Sequence, residues 1–172
     1  MIRYAEPQPG DLGVAAEPNR SVSEMTHDVS QGILGLAGPF SLRHGGSIED
    51  LRVAWRLEGA PGAPVVAAMG GISAHRRIFD AEAPREGWWS ELAGPGRPLD
   101  SDRFRLLGFD FLGGSGQTTG PTAGEPVFPS ISSSDQAALL AALCDHLEIA
   151  TLKAIAGASY GGMVALAFAE RH

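Results

Sequence analysis

Apolar positions along this chain gather into short runs divided by glycine- and proline-rich breaks, a pattern that begins at Phe40. Phe40-Ser41-Leu42-Arg43 alternates, Gly45-Gly46 supplies a turn, and Leu51-Arg52-Val53-Ala54-Trp55-Arg56-Leu57 alternates again. That pattern predicts two half-exposed antiparallel strands joined as a hairpin. Val65-Val66-Ala67-Ala68-Met69 is apolar without interruption, as a strand buried on both faces would be, and it runs into Gly70-Gly71-Ile72-Ser73. Arg105 to Leu112 predicts a further strand, and Leu152-Lys153-Ala154-Ile155-Ala156 another. Between these two, Ser133 and Gln136 have the spacing of a capping box before a helix whose Leu140, Leu143, Cys144 and Leu147 share one face. A last helix is predicted from Met163 to Arg171, with Met163, Leu166 and Ala167 on its apolar side.

Residues 1–36 show no sustained period and carry Pro7, Pro9 and Pro18, so they are expected to form a surface arm, partly disordered, ahead of one domain over residues 37–172. Of the adjacent Trp88 and Trp89, one is expected to pack on the core, since neighbours in sequence do not share a helix face.

Composition narrows the partners. A formal net charge of −7 and a pI near 5.1, with no Lys/Arg run, argue against a nucleic-acid surface and leave small molecules or proteins. The one cysteine, Cys144, excludes an internal disulfide and a Cys-rich zinc site and is read as core packing; no metal site is indicated. No apolar run of membrane-spanning length and no signal-peptide pattern occurs, so no membrane association and a cytoplasmic location are expected.

The chemistry centres on Gly157-Ala158-Ser159-Tyr160-Gly161-Gly162, a G-x-S-x-G placed where a strand should turn into a helix. By chance a chain of this composition carries such a pattern about one time in five, so its strand and helix context decides the reading. A serine at the tip of that turn occupies a strained backbone, and small residues two positions away let strand and helix approach. Ser159 is therefore the candidate nucleophile. The helix N-terminus beside it favours developing negative charge, and the Gly70-Gly71 turn can offer a second donor, which makes the N–H groups of Ile72 and Tyr160 the candidate oxyanion hole. The loop from Gly113 to Gly120 is rich in backbone donors but has Thr119 where G-x-G-x-x-G needs its third glycine, so no nucleotide site is assigned.

Alternating strands and helices with a serine on the elbow resemble the α/β-hydrolase fold, and longer stretches resemble the homoserine O-acyltransferases. Gly87-Trp88-Trp89 with Gly94 to Phe104 is similar to that family's approach to its fourth strand. Leu112-Gly113-Gly114-Ser115-Gly116-Gln117-Thr118-Thr119-Gly120-Pro121 resembles its L-G-G-C-x-G-T-T-G-P loop, Phe128-Pro129-Ser130-Ile131 its F-P-x-I segment, and Gly157 to Met163 its G-G-S-M-G-G-M elbow. The resemblance covers roughly residues 38–172. Ser115, Asp110 and Tyr160 stand where the family usually has Cys, Asn, and Met or Leu, which leaves the acyl donor open. The Gly70 to Arg76 segment is closer to the succinyl-using branch.

That resemblance implies transfer of a succinyl or acetyl group from CoA to homoserine through Ser159, in methionine biosynthesis, by a homodimer with acyl-CoA as co-substrate and no permanent cofactor. An esterase or thioesterase using the same serine, a serine O-acyltransferase, and a non-catalytic fragment are the alternatives. In this fold the acid and the histidine follow the serine, and the residues after Ser159 include no Asp. His172 would lie roughly 18 Å away along the helix. His75 and Asp110 precede the serine. The chain is thus expected to be an N-terminal half, inactive alone, whose lid, acid and base belong to a C-terminal part.

Overall fold

The computed structural model describes residues 27–81, 83, 85–114, 116–123 and 127–172. Its elements in chain order are β1 (Asp28–Gly35), β2 (Phe40–Ser41), β3 (Ser47–Ile48), β4 (Arg52–Gly59), β5 (Val65–Met69), β6 (Ala93–Gly94), β7 (Leu99–Asp100), β8 (Arg105–Phe109), α1 (Ser133–His146), β9 (Ala154–Gly157) and α2 (Tyr160–Arg171). Five strands form one mixed sheet in the order β1-β4-β8-β5-β9. The β1, β4 and β8 pairings are antiparallel, whereas β8, β5 and β9 run parallel. The C-terminal ends of those three parallel strands therefore lie side by side, the edge at which open α/β sheets place their ligands.

Alternate residues of β5 feed two cores. Ala67 and Met69 face α1 and α2, joined by Leu107, Phe109, Leu139, Leu143 and Val164. Val66 and Ala68 face the other way, onto Ile78, Phe79, Ala93 and Leu106, with Trp88 and Trp89 half-buried against them. Neither tryptophan has the core to itself; the two indoles stack on each other with centroids 4.8 Å apart.

Four expectations change. The segment Phe40–Ser41 pairs with Ser47–Ile48, so the hairpin closes inside residues 40–48 and does not reach Leu51. β4 instead lies between β1 and β8, buried from Val53 to Gly59. Its polar positions misled the alternation because they face charge, not water: Arg56 Nε donates to Glu58 Oε2 at 2.8 Å, and the same guanidinium lies 3.3 Å from Asp80. Next, the arm assigned to residues 1–36 is cut short, since residues 28–35 form β1; residues 1–26 lie outside the described residues. An edge strand with Gly32 and Gly35 and only scattered apolar residues leaves little periodic signal.

The α1 cap sits one residue earlier than its spacing suggests. Ser132 Oγ accepts from the Asp135 N–H at 3.3 Å, and the Asp135 carboxylate accepts from the Ser132 N–H at 2.7 Å. Gln136 is buried and clamps the main chain after β8, its Oε1 accepting from Leu112 N (3.0 Å) and its Nε2 donating to Leu112 O (2.9 Å). In α2 the buried stripe is Gly161, Val164 and Ala167, while Met163 and Leu166 are exposed. The helix has turned because Gly161, not a large side chain, sets its contact with the sheet.

That contact is backbone on backbone. The Gly161 N–H donates to Gly70 O at 2.8 Å, and the Ala158 N–H to Met69 O at 3.0 Å. A Cβ on Gly161 would overlap the carbonyls of Met69 and Gly70, and one on Gly157 would overlap the Gly161 carbonyl. A Cβ on Gly162 would make ordinary contact with the Gly157 carbonyl, 3.5 Å from its oxygen. Gly161→Ala should therefore cost about 3 kcal/mol or more, whereas Gly162→Ala should be neutral or gain up to about 1 kcal/mol of helix propensity. Denaturant unfolding of the two variants reads the difference, and equal midpoints would show that α2 does not touch β5 this closely.

Cys144 is buried in the core, and burial, reinforced by Asp145, raises its thiol pKa from 9.0 to about 11. As pH rises above 9 the unfolded chain ionises first while the native thiol keeps its proton, so this contribution to stability is full below pH 9 and lost by about pH 11. Relative to Cys144→Ala, the parent should lose unfolding midpoint between pH 8.5 and pH 10.5. A constant difference across that window would contradict the burial.

Candidate active site

β9 delivers the chain to Ser159, the residue before α2, with φ 54° and ψ −120°. A positive φ in a residue with a Cβ is strained, of order 1–3 kcal/mol, and persists only where surrounding contacts impose it. Here they are the two Gly161 approaches just described. A serine in this position of a helix ordinarily caps it with its hydroxyl. Ser159 makes no such bond; the Gly162 and Met163 N–H groups turn instead to its carbonyl, at 3.0 and 3.3 Å. The hydroxyl is thus left solvent-facing at the positive end of α2.

Ile72 lies in the turn after β5, closed by the Ala74 N–H donating to Gly71 O at 2.8 Å, and it is 63% exposed. Because Gly70 O accepts from Gly161, this turn and the start of α2 are joined directly. The N–H groups of Ile72 and Tyr160 donate to no backbone carbonyl among the described residues. Ser159, Tyr160 and the Gly70–Ile72 turn thus come together at the ends of neighbouring strands.

The Tyr160 side chain has a task that its motif position does not announce. Its ring meets Phe111 edge-on with centroids 5.1 Å apart, and its hydroxyl hydrogen-bonds Gln136. Burial raises the phenol pKa, the Gln136 bond opposes that shift, and Asp135 adds to it. Through Gln136 the elbow is tied to both α1 and Leu112. The misplaced capping box is the only sequence signal that singled out Gln136.

His75, His146, His172 and Asp110 have partners other than Ser159. His75 Nδ1 accepts from the Arg77 N–H at 3.2 Å, exposed His146 lies edge-on to Trp55, and His172 lies on Phe168 at the far end of α2. No described histidine hydrogen-bonds Ser159. Asp110 is buried at the end of β8 and accepts from the Arg76 N–H (2.8 Å), the Arg76 guanidinium (2.6 Å) and the Gln117 N–H (2.9 Å). Its two oxygens bond to two loops. Arg76 and Gln117 stand in two of the segments that carry the family resemblance, but nothing in the sequence joined either of them to Asp110.

Concavities occur away from the serine. One of about 420 Å³ lies between α1, the outer side of β9 and the end of α2, lined by Cys144, Ile149, Leu152, Ile155 and Phe168. Another of about 730 Å³ separates β3 from the Gly114–Gly120 loop. Among the described residues β9 pairs only with β5.

No helix among the described residues is long and apolar enough to cross a membrane. A family model for the α/β-hydrolase fold matches residues 84–172. The chain is 47% identical over 132 residues to a homoserine O-succinyltransferase of Xanthomonas campestris, covering 76% of this chain and 33% of that protein. It is 32% identical over 163 residues to a serine O-succinyltransferase of Xylella fastidiosa, covering 86% and 44%. Of solved structures, a homoserine O-acetyltransferase from Staphylococcus aureus superposes with a TM-score of 0.74 at 23% identity, over 84% of this chain and 43% of that one. The esterase E22 superposes with a TM-score of 0.69 at 26% identity, over 81% and 43%. The chain thus spans a third to under half of the length of the proteins it matches. With the elbow, the strand order and the family match in agreement, the chain belongs to the α/β-hydrolase family, and homoserine and serine O-acyltransferases are among its sequence relatives.

Proposed function

We propose that the protein moves an acyl group from a CoA thioester to the hydroxyl of L-homoserine, with Ser159 as the covalent carrier. The observation that carries the reading is the strained, uncapped Ser159 beside the Gly70–Ile72 turn. Attack of Ser159 Oγ on the thioester carbonyl forms a C–O bond and puts negative charge on the carbonyl oxygen. The Ile72 and Tyr160 N–H groups receive that charge. Collapse breaks the C–S bond, and CoA leaves as the thiol, its sulfur taking from the base the proton that Ser159 gave up on attack. The homoserine hydroxyl then attacks the serine ester, passes its proton to the base and restores Ser159. No described residue is assigned as the general base or its carboxylate partner. The acyl-CoA is a co-substrate that departs each turnover, so no resident cofactor is required.

Homoserine as acceptor rests on the relative at 47% identity, and succinyl is favoured over acetyl as the group transferred because that same relative carries succinyl in its name. The serine-named relative makes L-serine the neighbouring alternative acceptor. Cytoplasmic methionine biosynthesis by a homodimer belongs to the same reading. A second reading, hydrolysis by the same serine, is favoured by the likeness to esterase E22.

In the intact protein, succinyl-CoA should release CoA rapidly only when homoserine is present, with O-succinylhomoserine as the product by mass spectrometry. Release at the same rate without an acceptor would replace the transferase with a thioesterase. Ser159→Ala should lower transfer on the order of 10³-fold or more. Ser159→Gly should abolish transfer as well yet raise the unfolding free energy by about 1 kcal/mol, because glycine accepts the positive φ. An unstabilised Ser159→Gly would mean that the elbow stores no strain.

A further inference from the structure

The buried carboxylate of Asp110 is not part of any step above, yet it joins the turn after β5, which meets the elbow, to the loop after β8. Its Oδ1 accepts from the Arg76 main-chain N–H at 2.8 Å. Its Oδ2 accepts from the Arg76 guanidinium at 2.6 Å and from the Gln117 N–H at 2.9 Å. Arg76 then reaches across to Gln117 Oε1 at 2.7 Å, closing a ring of three residues. Asp110 is 1% exposed, and its partners surround it closely enough that a Cβ on Gly116 would overlap the carboxylate. An ion pair desolvated to this degree is a weak source of stability but a firm geometric constraint.

What it constrains is the turn carrying Ile72. That turn leaves β5 at Gly70, is closed by Ala74 onto Gly71, and continues through His75, whose carbonyl accepts from Trp88 Nε1 at 2.7 Å, to Arg76. Its near end is fixed by the Gly161 bond to Gly70, and its far end by Asp110. Ile72 and Ser73 between these anchors are both exposed and make no backbone hydrogen bond of their own among the described residues. Without the Asp110 anchor, the far side of the turn is held only by the Trp88 bond to the His75 carbonyl, and the Ile72 N–H loses a main-chain constraint on its direction.

The geometry points to Asp110, acting through Arg76, as the positioning residue of the oxyanion turn, an inference that rests on the reading of Ser159 as nucleophile. It replaces any role for Asp110 as the acid of a serine triad, because its carboxylate serves Arg76 and Gln117 and no described histidine hydrogen-bonds it. The same ring would carry a displacement of the Gln117 loop into the Ile72 turn.

Asp110→Asn tests this in the intact protein. Both carboxylate oxygens accept hydrogen bonds, and an amide nitrogen accepts none, so whichever way the new side chain turns at least one anchor is lost. Hydrogen exchange over residues 70–76 should then accelerate about tenfold while α1 stays protected. The rate of Ser159 acylation at saturating acyl-CoA should fall about tenfold or more, with the KM for acyl-CoA little changed, as loss of a donor used only in the transition state requires. Arg76→Ala, on the loop surface, should reproduce both effects should Asp110→Asn fold poorly, and Arg76→Lys should restore much of the rate by supplying a charge to the same carboxylate. Unchanged exchange over residues 70–76 in both Asp110→Asn and Arg76→Ala overturns the proposal whatever the activity. Faster exchange with an unchanged acylation rate overturns it too. A parent protein that is never acylated at Ser159 overturns the nucleophile reading instead and leaves the clamp without a catalytic role.

Discussion

The structure depends on one crossing point, where the first turn of α2 meets the end of β5 with no side chain between them. Gly161 hydrogen-bonds Gly70 and lies against the Met69 carbonyl, and Gly157 lies equally close to Gly161. Because strand and helix must reverse direction within that space, the residue at the apex has no relaxed conformation open to it, and Ser159 takes φ 54°. The strain and the exposed hydroxyl thus share one cause. Packing that in most proteins would only fix a helix on a sheet here also sets the direction of a functional side chain.

Around that point the chain uses buried polar groups to hold loops rather than to react. Gln136 ties Leu112 and Tyr160 to α1, Asp110 ties the turn after β5 to the loop after β8, and Arg56 with Glu58 and Asp80 ties the next stretch of the same loop to β4. Each of these groups lies on or beside the parallel half of the sheet. Loops built from small and polar residues have little apolar surface of their own to fix them, so directional bonds from the interior supply what packing does not.

Much of this was legible in the sequence wherever local chemistry and global role agree. The uninterrupted Val65–Met69 run is β5 with the same bounds, and the elbow lies on the turn that its glycines demand. Legibility failed where a polar residue was buried. Arg56 and Glu58 made β4 look half-exposed when its far face covers an ion cluster. Gln136 was read as a cap because spacing cannot tell a side chain that bends back to its own helix from one that reaches a distant main chain. Met163 and Leu166 were grouped with Ala167 on one face by helical spacing, while the buried stripe is Gly161, Val164 and Ala167, with its closest contact made by a glycine. In each case the deciding partner lies far along the chain, beyond what periodicity records.

The most direct test is to trap the covalent carrier. The intact protein is mixed with succinyl-CoA without acceptor, denatured within the first turnover, digested and sequenced by mass spectrometry. A succinyl group on Ser159, formed with release of one CoA and discharged when homoserine is added before denaturation, is the predicted result. Turnover to O-succinylhomoserine with no adduct on Ser159, or an adduct on another residue, would contradict it.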